Sequence, residues 1–195
     1  PWDVTYAGFK NPKRIYTLGM APTNYEQDRP FASASGDGLL FVGTTPQYGK
    51  IGGALSIYDP KLGVGAAGNP YVVRNLIQDQ SITALAYHDG ILYGGTSVWG
   101  GIGGKPTQPS AKFFGFDVKT KTKLFETVIA ENRRTITTVE VGPDGKIWGM
   151  CEGYLFKYNP KTGQMEYNNN DFTDIDFSDI TEATQRWYGA QLLAG

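Results

Sequence analysis

Three groups of side chains in this 195-residue chain have the types and spacing to hold a polar ligand. Gln47, Tyr48 and Lys50 fall within Thr45–Gly53 (TPQYGKIGG). Trp99 and Lys105 bracket the glycine-rich part of Ser97–Ala111 (SVWGGIGGKPTQPSA). Arg133 and Arg134 are adjacent, and Gln80 ends the polar trio Gln78-Asp79-Gln80. Aromatic faces stack on sugar rings, amides pair with hydroxyls, and a guanidinium fork grips a carboxylate with two bonds. The set suits a carbohydrate, a carboxylated one in particular, or a protein surface. The same residues have an alternative use in a lyase acting on uronate glycans, which needs a base and a cationic neutraliser at one carbon. Tyr48, Arg133 and Arg134 are the candidates for that role, with Lys50 as a further cation.

Other chemistries are excluded by residue supply. Gly-Gly-Ile-Gly-Gly-Lys at 100–105 lacks the glycine spacing of a phosphate-binding loop, and no helical pattern follows Lys105. His88 is the only histidine and Cys151 the only cysteine. A zinc site, a Ser-His-Asp site and an internal disulfide are therefore not expected. Five acidic residues mark 168–184, but the central glycine of a calcium loop is missing, so the stretch reads as a solvated loop anchored by Phe172 and Phe177. No metal and no cofactor are expected. The net charge of −1 and the scatter of basic residues argue against a nucleic-acid partner. No apolar run approaches the length of about 18 residues that a membrane span needs.

The elements that must position these residues come from a repeat. Asp37-Gly38, Asp89-Gly90 and Asp144-Gly145 each separate two apolar, β-rich runs and lie 52 and 55 residues apart. Around each turn four short strands can be read, here a to d. In the third unit they are 135–141, 146–151, 154–158 and 164–167, with Asn159-Pro160-Lys161 as the c–d turn. Asp59-Pro60-Lys61 repeats that turn in the first unit. Four antiparallel strands recurring at such a period are the blades of an all-β propeller. The chain divides into the end of one blade (1–29, with 14–18 as its outer strand), three full blades (30–80, 81–134 and 135–186), and the first strand of another (187–195). Blades must be covered on both faces. The expectation is therefore a partial ring, completed by a longer parent chain or a partner chain.

The sequences GPDGKIWG (142–149) and LFKYNPKTG (155–163) resemble bacterial propeller repeats of the two-component-regulator, NHL-like and streptogramin-lyase-like kinds. ILYGGT (91–96) and LLFVGT (39–44) fit the same strand b, and the resemblance covers about 30–195. None of the full units ends in the Trp-Asp pair of WD repeats. The resemblance implies a ring of roughly six to eight blades, a role in binding, sensing or lyase chemistry, and an extracytoplasmic or secreted setting.

Turns in a meander alternate between two ends. The short Asp-Gly and Asn-Pro-Lys turns share one face, which reads as scaffold. The b–c loops and d–a connections share the other and carry every candidate residue named above. Irregular segments longer than a connection needs point to function, so this loop face is the expected binding surface. Gln80 is expected to point into the central channel.

Overall fold

The computed structural model describes residues 14–20 and 24–177. It contains twelve strands in three four-stranded antiparallel sheets, each a simple meander. Blade 1 comprises β1 (Gln27–Gly36), β2 (Leu39–Pro46), β3 (Ala54–Tyr58) and β4 (Tyr71–Arg74). Blade 2 comprises β5 (Ser81–His88), β6 (Ile91–Ser97), β7 (Lys112–Asp117) and β8 (Thr122–Val128). Blade 3 comprises β9 (Ile136–Val141), β10 (Ile147–Cys151), β11 (Tyr154–Asn159) and β12 (Gln164–Asn170). The first strands of neighbouring blades touch. These three inner strands line a groove of about 270 Å³. The architecture is that of propeller blades, as the repeat predicts.

Local chemistry fixes the turns. Asp37 and Gly38, and again Asp89 and Gly90, all have positive φ. That is the type I′ geometry that joins two strands through two residues. The third a–b turn runs over 142–146 and is closed by Gly142 N–H donating to the Lys146 carbonyl at 2.8 Å. At the c–d turns an Asx side chain caps the bend: Lys61 N–H donates to Asp59 Oδ1 at 2.8 Å, and Lys161 N–H to Asn159 Oδ1 at 2.9 Å.

Two expectations are corrected here. Blade 1 has no short c–d turn, because residues 59–70 separate β3 from β4. The Asn69 side chain ties this long connection, accepting from Asp59 N–H and donating to the carbonyls of Asp59 and Gly63. Leu62 and Val64 on it are exposed, so the scaffold face is not uniformly bare. The second correction concerns Arg14–Leu18, expected as an outer strand, which forms no strand. It lies instead across the open face of blade 1. Tyr16 stacks on Tyr58 at 5.5 Å, and its hydroxyl and that of Ser56 are 3.0 Å apart. The expected last strand, 188–194, lies outside the described residues.

The core forms between blades. Alternating side chains of each sheet point to the neighbours on either side. Phe41, Leu55 and Ile57 of blade 1 meet Ile82, Leu92, Phe114 and Phe116 of blade 2. Between blades 2 and 3 the filling is aromatic: Phe113 lies 5.1 Å from Phe156, and Phe125 5.2 Å from Tyr158. Burial in this cluster pushes the Tyr93 hydroxyl up to about 12. Burial also raises the Cys151 thiol. This buried thiol packs as a small apolar group in the same cluster.

Candidate functional site

The two long b–c loops lie side by side. Gly49 N–H donates to the Ile102 carbonyl at 2.7 Å, and Gly101 N–H to the Lys50 carbonyl at 2.9 Å. These bonds join blade 1 to blade 2 outside their β-ladders. They also explain the glycine run. A Cβ on Gly101 would stand 1.9 Å from the Gln47 carbonyl oxygen, so only glycine lets the two backbones come this close. The run packs backbone against backbone rather than cradling an anion. The result is one platform made from 47–53 and 98–111. Tyr48 stands on it 78 % exposed and Ile102 44 % exposed, with the Tyr48 ring beside Gly103.

The d–a connections carry the platform from beneath. Gly53 N–H donates to the Gln80 carbonyl at 2.9 Å, and Asn75 N–H to the Gly53 carbonyl at 2.7 Å. Val98 and Ala111 N–H donate to the carbonyls of Arg134 and Arg133 at 2.9 and 2.7 Å. The b–c loops and d–a connections thus share one face, as the meander requires.

Each candidate residue has a distinct place. Gln47 is half-buried, and its amide donates to the Gly19 carbonyl at 3.0 Å. It lines a mainly apolar cleft of about 440 Å³ with Leu18, Met20, Leu40 and Val42. Lys50 is tied down: Lys50 Nζ and Arg74 Nη2 lie 3.0 and 2.7 Å from the two oxygens of Glu26. The hydrogen bond from Lys50, aided by Arg74, holds the Glu26 carboxyl below its ordinary value. Lys105 is exposed on the platform. Trp99 is half-buried; its indole N–H is shielded from solvent and has no acceptor among the described residues, while its carbonyl accepts from Ser81 Oγ at 2.7 Å.

Gln80 is inside the fold, 1 % exposed, rather than in the channel. Its Oε1 accepts from Thr96 Oγ1, and its Nε2 donates to the Ser110 carbonyl at 2.9 Å. Thr96 Oγ1 in turn accepts from Lys112 N–H at 2.8 Å. Blade 1 repeats this brace. Thr44 Oγ1 donates to Gln27 Oε1 at 2.7 Å and accepts from Ala54 N–H at 3.0 Å, and Gln27 Nε2 donates to the Gly52 carbonyl at 3.3 Å. Gln27, Thr44 and Thr96 do not stand out in the sequence as site residues. A signal for them is nonetheless there: a glutamine precedes a strand-b threonine by 17 residues in one blade and 16 in the next.

Arg133 and Arg134 part company. The Arg133 guanidinium lies over the Tyr154 ring at 5.5 Å. Arg134 Nη2 donates to the Phe177 carbonyl at 2.8 Å, and its Nε is 3.9 Å from Glu152 Oε1. The expected anchoring of the acidic loop by Phe177 is present, since the ring packs on Gly153. Glu152, an ordinary turn residue by sequence, also belongs to this corner. Its side chain is 1 % exposed and Oε1 accepts no hydrogen bond from the described residues. Burial pushes its carboxyl up, against the pull of Arg134 and Arg133. Tyr48, Lys50, Arg133 and Arg134 line neither the 440 Å³ cleft nor the 270 Å³ groove.

Comparison with solved structures gives the same architecture. A crystal structure of RRP9 WD40 repeats is similar over 71 % of this chain and 38 % of that chain, with 7 % identity and a TM-score of 0.51. A structure of U3-55K is similar over 72 % of this chain and 38 % of that one, with 6 % identity and a TM-score of 0.50. The likeness is one of fold, and the chain spans little more than a third of either structure. No family model matches the chain, and neither does any curated protein.

Proposed function

We propose that this chain is part of a propeller that serves as a protein-interaction module, with the joined b–c loops of blades 1 and 2 as its docking platform. The observation that carries this reading is the pairing of a rigid, bonded loop base with two exposed apolar side chains, Tyr48 and Ile102. Tyrosine anchors binding because it brings large amphipathic area at small entropy cost, and a preformed base avoids the cost of ordering the loops. Lys105 adds a cation at the same surface. Gln47 and Gln80 serve as internal ties in this reading, and Lys50 holds the platform to Glu26. The spread of Tyr48, Arg133 and Arg134 gives no support to a lyase centre. The remaining blades of the ring would come from a longer parent chain or a partner.

A random-peptide display library selected on the protein tests this, with a glycan array in parallel. Peptides are expected whose binding falls at least roughly 10-fold when Tyr48→Ala and Ile102→Ser are combined. Glycans bound instead, through Tyr48 and Trp99, would favour a carbohydrate-binding module. Peptide binding that is indifferent to the two substitutions would remove the platform from consideration.

A further inference from the structure

Blades 2 and 3 build the face they turn to the preceding blade in one way, and blade 1 builds its equivalent face in another. On blade 2, Phe114 of β7 pairs with Gly94 of β6, and a Cβ on Gly94 would stand 2.2 Å from the Phe114 ring. Blade 3 repeats the arrangement: Phe156 of β11 pairs with Gly149 of β10, again with 2.2 Å from a Cβ to the ring. In both, the glycine makes room for a phenylalanine that the sheet itself supplies to the seam. Blade 1 reverses the pair. The same register sets Ser56 of β3 against Val42 of β2. Strand c of blade 1 therefore brings no ring to this face.

The inner strand of blade 1 departs in the same sense. Pro30 and Ser33 pair with Thr44 and Val42, where Ile82 and Leu85 pair with Thr96 and Gly94, and Ile136 and Val139 with Cys151 and Gly149. The four apolar residues are buried, whereas Pro30 and Ser33 are exposed. A less apolar outer face is how a repeat array ends. The rest of the face is covered from outside the sheet by 14–20. Tyr16 stacks on Tyr58, and its hydroxyl lies 3.0 Å from that of the fully buried Ser56. Leu18 is 8 % exposed, and its carbonyl accepts from Tyr25 N–H at 2.9 Å. A buried hydroxyl needs a partner. The side chains that blade 1 turns to blade 2, Phe41, Leu55 and Ile57, show what a neighbouring blade brings to a seam, and such side chains offer none.

We propose that 14–20 is a built-in cap that stands in for a neighbouring blade, with Tyr16 as the ring that strand c of blade 1 does not supply. A blade can pack on this face only by displacing Tyr16 and stranding Ser56 Oγ, so any ring that this chain joins has its seam here. Rebuilding the arrangement of blade 2 tests the assignment. Tyr16→Ala is expected to lower the melting temperature by about 6–16 °C. In V42G/S56F the sheet carries its own ring, and the same Tyr16→Ala is expected to cost less than half as much. An equal cost in both backgrounds overturns the proposal. A cost that varies with protein concentration also overturns it and gives the face to a second copy.

Should V42G/S56F fail to fold, the hydroxyl pair decides. Tyr16→Phe strands Ser56 Oγ and is expected to lower the melting temperature by about 2–12 °C. With Ser56→Ala already in place nothing is stranded, and the loss is expected to fall by at least half. Losses that simply add overturn the contact. Hydrogen exchange reads the cap directly. The Tyr25 amide, held by the Leu18 carbonyl, is expected to exchange roughly 10-fold or more faster in Tyr16→Ala, with the Phe114 amide of blade 2 unchanged. An unchanged Tyr25 amide would show that Tyr16 does not seat the segment, and overturns the proposal.

Discussion

Blades 1 and 2 close their loop-face corners with a neutral brace, glutamine amide to threonine hydroxyl to backbone, whereas blade 3 closes the same corner with a buried carboxylate beside two arginines. The register is shared: Thr44, Thr96 and Cys151 follow their turn aspartates at the same distance. What differs is the loop each corner must hold. The braces anchor long b–c loops, which then bond to each other. Blade 3 turns at once through Glu152-Gly153, both with positive φ, and has no long loop to anchor. A neutral brace satisfies every polar atom it buries. The carboxylate leaves Glu152 Oε1 without a hydrogen bond among the described residues, which a short stiff turn can hold in place. The platform therefore belongs to two blades out of three, and the corner chemistry marks which two.

The largest effect should come from breaking a brace. Thr96→Val strands Gln80 Oε1 and Lys112 N–H in the interior. At about 1–3 kcal/mol for each unmet group, the expected loss is roughly 2–6 kcal/mol by denaturant titration. A cost below about 1 kcal/mol would mean that water reaches the corner. Gly101→Ala comes next. Its Cβ has no room against the Gln47 carbonyl, so the loops must part, at about 1–3 kcal/mol and with faster exchange at the Gly49 and Gly101 amides. Exchange unchanged at both amides would show that the loops do not depend on each other.

Cys151→Thr sharpens the comparison from the other side. It supplies blade 3 with the brace hydroxyl but no glutamine to receive it. A loss of about 1–2 kcal/mol is expected, where a true third brace would gain. The smallest effect is one of pH. Burial raises the Glu152 carboxyl above its ordinary value of 4.5, so the folded state holds its proton longer than the unfolded one. The stability this contributes is complete below the ordinary value and is lost as pH rises through the folded one. The stability of the parent relative to Glu152→Gln should therefore decline with rising pH above about 4.5 and stay level below it. A difference that grows with pH would show that Arg134 and Arg133 dominate burial.

Much of this molecule is legible in its sequence. The Asp-Gly period places all twelve strands within a few residues, because Asp37-Gly38 and Asp89-Gly90 take the type I′ geometry that demands that chemistry and Asp144-Gly145 keeps the same spacing in a longer turn. The loop lengths mark the platform face. The purpose of the glycine run stays hidden, since close approach depends on a second loop that lies some 50 residues away in the chain. Gln80 is hard to place because polarity usually means exposure, and only the matching Gln27–Thr44 pair shows the alternative. The 59–70 connection reads as a simple turn, because Asp59-Pro60-Lys61 begins it correctly and Asn69 finishes it out of view.

A Cβ at Gly43 of β2 would stand 2.4 Å from Ile82 Cγ2 and one at Gly95 of β6 2.3 Å from Ile136 Cγ2, so each glycine is a socket for the next blade's inner strand, and these sockets say where the architecture can lengthen. A duplicate of blade 2 placed directly after blade 2 would present its Ile82 to the waiting Gly95 and offer its own Gly95 to Ile136. The first new seam would be of the same glycine–isoleucine type, and the second would repeat the Gly95–Ile136 contact that already exists. The same duplicate placed after blade 3 would drive Ile82 into Met150, which follows Asp144 at the distance by which Gly43 and Gly95 follow Asp37 and Asp89. Growth by tandem copying therefore has a permitted address and a forbidden one, written at Gly95 and at Met150.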